Sequence, residues 1–181
     1  MQASERAIFR EIVISSCRHV LPKCGLHISP DPLDVTEGTQ ASEQLAAFIG
    51  FTAPVLRGAL SLLAPIEQVR TSYPVVLKKG IAGKLELFDW AGEIVNRLLG
   101  RVKSEVAKRG IELEPSTPKA MLGEQLEFNV LQPNAVCAVE FVCGSGKITV
   151  LVDAVAMSGA ALFGEPAQQS GLPQEGELLL F

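Results

Sequence analysis

The most regular alternation of apolar and polar positions runs from Asp89 to Gly110. At about 100° per residue, Ala91, Ile94, Val95, Leu98, Val102 and Val106 fall on one stripe, which predicts a helix with that side buried. Asp89, Glu93, Asn96 and Gly100 fall on the opposite side. Asp89 is placed to cap the amino end, because its carboxylate accepts a bond from an orphan backbone N–H. Lys108 and Arg109 suit the negative carboxyl end of the helix dipole, and Gly110 suits a left-handed carboxyl cap. A second helical spacing, Ile8, Ile12 and Val13 with Ser16 and Val20, predicts a helix over 4–20, capped by Ser4 and stopped by Pro22 and Gly25.

Elsewhere the period drops to two, the signature of strands with one buried face. Leu45, Ala47, Ile49 and Phe51, then Leu56, Gly58, Leu60 and Leu62, predict a hairpin turning at Thr52-Ala-Pro-Val. Ala135–Cys143 and Lys147–Val155 predict another, with Gly144-Ser-Gly146 as a turn that tolerates positive φ. Shorter strands are expected at Ile111–Glu114, ended by Pro115, and at Gln125–Leu131. Residues 26–35 read as an edge strand or loop, because Pro30 and Pro32 cannot donate to a ladder. Ala64–Lys78 is weakly patterned around Pro65 and Pro74, and Gly80 and Gly83 mark a loop before the central helix. Helices and hairpins in this order predict an α+β fold over residues 1–157, followed by a flexible tail over 158–181. No internal repeat is visible.

A chain of 181 residues with 48% hydrophobic positions fits one domain with a substantial core. The net charge of −4 argues against nucleic acid as a partner, since phosphate binding needs clustered Lys and Arg. Arg97, Arg101, Lys103, Lys108 and Arg109 do gather, but interleaved with acids, and read as a solvated face. Glu5, Arg6, Arg10 and Glu11 break any signal-peptide pattern, and no uncharged apolar run reaches the length of a membrane span. A cytoplasmic protein is expected, with no membrane contact. Cys137 and Cys143 share one face of a predicted strand and read as small buried hydrophobes. Cys17, His19, Cys24 and His27 match no structural zinc spacing, so no metal or cofactor is expected in this chain. Gly144-Ser-Gly-Lys147 fails as a phosphate loop, with Phe141 where the pattern needs Gly and Ile148 where it needs Ser or Thr.

The polar face of the central helix holds the candidate chemistry. Glu93 and Asn96, three residues apart, are neighbours on the helix surface. Gly100 lies one turn beyond Asn96, and a glycine inside a helix costs about 1 kcal/mol relative to Ala. Asn is also a mediocre helix former, because its amide competes for backbone bonds. Two locally unfavourable residues beside a carboxylate mark a face that touches something. A carboxamide has no basic site near neutral pH, but it donates and accepts hydrogen bonds and can orient a water. Phosphoryl transfer asks for little more, since positioning and charge stabilisation dominate it.

Asp89-x-x-Gly92-Glu93-x-x-Asn96-x-x-x-Gly100 resembles the signature helix of the CheX family, chemotaxis response-regulator phosphatases related to CheC and FliY. Phe48 to Leu62, with Gly58 near the start of its second strand, resembles the family's strand–turn–strand, and Ser116-Thr-Pro118 resembles the Ser/Thr-Pro element that follows the helix. The resemblance implies a CheC-like fold, with helices packed on one face of a mainly antiparallel sheet, and a homodimer formed through the sheet. It implies a partner, a CheY-like receiver carrying an aspartyl phosphate, with the magnesium held by that receiver. Asn96 would orient the attacking water, Glu93 would pair with the receiver's lysine, and Gly92 and Gly100 would sit at the partner surface. A non-catalytic module of the same fold, which binds a receiver or scaffolds a signalling complex, is the second reading.

Overall fold

The alternating runs become the strands of one sheet, and the runs of helical period pack on a single face of it. The computed structural model describes residues 3–33, 43–74, 82–124, 126 and 135–157. The strands are β1 (Glu43–Thr52), β2 (Leu56–Pro65), β3 (Glu114–Pro115), β4 (Lys119–Glu124), β5 (Ala135–Cys143) and β6 (Gly146–Ala156). Their order is β3-β1-β2-β6-β5, with β4 also on β1, and every pairing is antiparallel. The helices are α1 (Ala3–Val20), α2 (Ile66–Ser72) and α3 (Lys84–Ala107). This is the α+β architecture that the two periods predict.

One core joins the layers. Leu45, Ile49, Leu60, Leu62, Val139, Val150 and Val152 of the sheet meet Phe9, Val13 and Cys17 of α1 and Ile94, Val95, Leu98 and Val102 of α3. The six apolar positions assigned to the buried side of α3 are each at most 1% exposed. Gly58 has a steric reason to be glycine. A Cβ there would overlap the carbonyl oxygen of Asp153, so only the bare backbone lets β2 close onto β6. At the β5–β6 turn, Gly144 takes a φ of 57°, a conformation that tight hairpins require and glycine adopts without strain.

Several local expectations are corrected. Asp89 is not the cap of α3, which begins five residues earlier at Lys84 with Gly83 in the cap position. The Glu86 carboxylate reaches back to accept the Gly83 N–H. Leu87 and Trp90 are buried, so burial of an extra apolar turn extends the helix past the better capping residue. Ser4 likewise lies inside α1. The weakly patterned stretch after Pro65 holds α2, with Pro65 in the cap position; a proline just ahead of the first turn removes no intrahelical bond. The strand expected at Ile111–Glu114 pairs only at Glu114–Pro115, because Ile111 and Leu113 turn into the core. Lys119–Glu124 forms a strand that the pattern did not show. The strand expected at Gln125–Leu131 lies outside the described residues except for Leu126, which is in no strand, and the tail over 158–181 lies outside them as well.

The carboxyl end of α3 follows expectation. Gly110 has a φ of 79°. Its N–H donates to the Ala107 carbonyl at 3.0 Å, and the Ile111 N–H donates to the Val106 carbonyl at 3.2 Å. Ile111 and Val106 are both buried, the apolar seal that accompanies this cap. Residues 26–33 run along β5 as two isolated bridges, Ile28 to Cys143 and Leu33 to Glu140. That fits an edge interrupted by Pro30 and Pro32. Among the described residues no helix is long and apolar enough to cross a membrane.

Candidate functional site

The outward face of α3 is a narrow polar strip between two different neighbours. Asn96 is exposed, and its amide has no hydrogen-bond partner among the described residues. Glu93 is half-exposed and accepts a bond from Arg97 Nε at Oε1, 2.6 Å away. Gly100 is exposed, and a Cβ there would meet nothing within 4 Å. Glu93, Asn96 and Gly100 therefore share one accessible surface. Gly92 does not. It is buried, and a Cβ there would stand 3.5 Å from Pro118 Cγ.

Pro118 belongs to a strap that fixes one flank of the strip. Gly92 lies about 40° round the helix from Asn96, at 100° per residue, and Pro118 covers it. Two residues earlier, the strap is tied to the sheet. The Ser116 N–H donates to the Gly50 carbonyl at 2.8 Å, and the Gly50 N–H donates to Ser116 Oγ at 3.0 Å. Ser116 and Pro118 thus link β1 to α3, leaving Thr117 exposed between them.

The other flank is charged. The Arg97 guanidinium lies 5.7 Å from the centroid of the Trp90 ring, within cation–π range. Trp90 is held in turn: its Nε1 donates to Ser72 Oγ at 3.0 Å, and Tyr73 packs edge-on with centroids 6.2 Å apart. The bond to Glu93 raises the pKa of Arg97 further, so this guanidinium stays charged. Beyond Arg97 a cleft of about 300 Å³ opens between α3 and the end of α1, lined by His19, Lys23, Cys24, Arg97, Gly100 and Arg101. Lys23 Nζ and His19 Nε2 are 2.8 Å apart. Arg101 pairs with Glu105 at 2.7 Å, and Lys108 shares the same carboxylate at 2.8 Å. Burial pushes the Cys24 thiol up, opposed by the neighbouring Arg97. Burial likewise pushes Cys17 up, and Cys137 up to about 12, which keeps these groups as inert thiols near neutral pH.

Of the four positions singled out from sequence, three meet on the open surface, and Gly92 supports it from beneath Pro118. Cys17 is buried while His19 is exposed, so those two do not converge, and no group of three potential metal ligands occurs among the described residues. Sequence reasoning missed the cleft. Arg97 and Arg101 were visible at helical spacing from Glu93 and Glu105, but nothing local connects them with His19 and Lys23 some eighty residues earlier.

No family model matches the chain, and no curated protein does. Solved structures do. A chemotaxis protein CheX from Vibrio vulnificus matches with a TM-score of 0.66 at 19% identity, over 83% of this chain and 98% of that one. A CheC-like superfamily protein from a Shewanella species matches with a TM-score of 0.65 at 17% identity, over 86% of this chain and 99% of that one. The CheX of Borrelia burgdorferi, solved in a complex with CheY, BeF3 and Mg2+, matches with a TM-score of 0.55 at 13% identity, over 84% of this chain and 97% of that one. The chain has the CheX and CheC-like fold.

Proposed function

We propose that this chain is a CheX-like phosphatase that hydrolyses the aspartyl phosphate of a CheY-like response regulator in cytoplasmic chemotaxis signalling. The observation that carries the reading is the Asn96 amide, solvent-exposed and without an internal partner, beside a carboxylate on a helix whose opposite side is packed into the core. A side chain spending its hydrogen bonds inside the protein could not hold a water for another molecule; this one is available. Its helix is anchored by the core, by Pro118 and by Trp90, so the backbone that carries the amide enters the receiver already in place. Such preorganisation is where a positioning catalyst gains rate.

Glu93 docks the receiver in this reading. Arg97 occupies Oε1, and no hydrogen bond to Oε2 is made among the described residues. Oε2 then remains to accept the receiver's lysine. The pair is about half-exposed, so its contribution is register and specificity more than affinity. Magnesium, in this reading, is held by the receiver, and Gly100 gives the partner a bare surface to approach. A homodimer through the sheet is part of the same proposal. Among the described residues no strand pairs with the outer edge of β4, where Met121 is 48% exposed. Sedimentation of a purified chain at monomer mass would remove the dimer.

The test of activity is the decay of a phosphorylated CheY-type receiver with and without the protein. Decay is expected to accelerate, and Asn96→Ala is expected to lose about 100-fold of that acceleration with an unchanged melting curve. A wild-type protein that binds the receiver without accelerating decay would make the chain a non-catalytic receiver-binding module.

A further inference from the structure

We propose that the cleft between the end of α1 and α3 is a basic docking subsite that receives an acidic segment of the receiver beside its phosphorylation pocket. The inference rests on the phosphatase reading and extends it from the reacting group to the surface that selects the partner.

The chain as a whole is acidic, with a net charge of −4, yet this cleft is not. Lys23 has no carboxylate partner among the described residues; its ammonium meets only the His19 ring. Arg101 and Lys108 share the single carboxylate of Glu105, which leaves one positive charge over. Arg97 is balanced by Glu93. The cluster around the cleft therefore sets Glu93 and Glu105 against Lys23, Arg97, Arg101 and Lys108, of which Lys23, Arg97 and Arg101 line the opening itself. Two positive charges remain uncompensated in that cluster.

The cleft adjoins the strip that carries Asn96. Arg97 follows Asn96 directly and lines the cleft, and Gly100, one turn beyond, forms its near rim. A partner reached by the Asn96 amide therefore lies over the opening. Its chemistry is complementary. A phosphoryl group carries about −1.5 to −2 charge near neutral pH, and a bound magnesium ion is held by further carboxylates. The magnesium and the receiver's lysine offset part of this charge, and the acceptor oxygens left at the rim are what the cleft's cations complement. Arg97 couples the two surfaces: when the receiver's lysine joins it on Glu93, the one carboxylate offsets two cations, and more of the Arg97 charge is left facing the cleft. Docking at the catalytic strip and attraction at the cleft then reinforce one another. The exposed positions of these charges assign them to encounter and specificity rather than to the hydrolytic step.

The experiment measures KM and kcat for dephosphorylation of a CheY-type receiver at low and high salt. It compares wild type with Lys23→Glu, Arg101→Glu, the milder Lys23→Gln, and Arg6→Glu, a control at an exposed position near the amino end of α1, away from the cleft. The cleft reversals are expected to raise KM about tenfold at low salt, Lys23→Gln less, with kcat within about twofold; the difference should shrink above about 0.5 M salt, where the Debye length falls below about 5 Å. Arg6→Glu should behave as wild type. Unchanged KM in Lys23→Glu and Arg101→Glu, an effect on kcat instead, or an effect indifferent to salt would overturn the subsite while leaving the phosphatase standing. A wild type that neither binds nor dephosphorylates the receiver would overturn the phosphatase reading itself.

Discussion

The two flanks of the α3 strip are built from different physics. On the Gly92 side, Pro118 and Ser116 make an apolar and backbone clamp between β1 and the helix. On the Arg97 side, exposed ion pairs border an open cleft. Close packing and backbone bonds have steep geometry and tolerate little displacement. Exposed charges are screened and accept many geometries. The first flank therefore suits holding Asn96 in place, and the second suits attracting a partner of approximate shape. Within the proposed function, one flank governs kcat and the other governs KM.

Asn96→Ala sets the scale for that comparison, with its expected loss of about 100-fold in turnover, and the charge reversals in the cleft come next. Loosening the clamp should fall between catalysis and stability. Ser116→Ala with Pro118→Gly removes the side-chain bond to Gly50 and the cover over Gly92. It is expected to cost about 1–2 kcal/mol by thermal or urea unfolding, and to lower kcat about tenfold, since small misplacements of a positioning group are costly. A rise in KM with kcat intact would reverse the roles assigned to the two flanks. Gly100→Ala has the smallest effect and the opposite sign on stability. With open space around the added methyl group, the helix should gain about 0.5–1 kcal/mol, read as a higher Tm. If Gly100 is bare so that the receiver can approach, the stabler variant should bind it less tightly, a known exchange of stability against function. Equal affinity would leave Gly100 with no partner role.

Much of this was legible in the chain. The stripe from Ala91 to Val106 dictates which side of α3 is buried, and Glu93, Asn96 and Gly100 follow onto the outside as a matter of geometry. The two long hairpins announce themselves by period two and by turn chemistry. The failures are equally physical. β4 shows little signal because Lys119 and Met121 face outward while only Ala120 and Leu122 touch the core; its strand character comes from pairing with β1. Asp89 looks like a cap, yet burial of Leu87 and Trp90 outweighs a capping preference of about 1 kcal/mol. Gly92 and Gly100 look alike in a helical wheel and differ only because Pro118 returns over one of them.

The sequence by itself determined the periods, and with them the fold class, the buried side of the central helix and the polar row opposite, because side-chain direction in a helix or strand follows from local backbone geometry. Only the tertiary structure decided what stands beside that row. Ser116 reaches Gly50 across 66 positions of chain, and Lys23 comes to line one cleft with Arg97 and Arg101 across still more. Such neighbours are set by how the sheet and helices close on one core, and no local pattern encodes that.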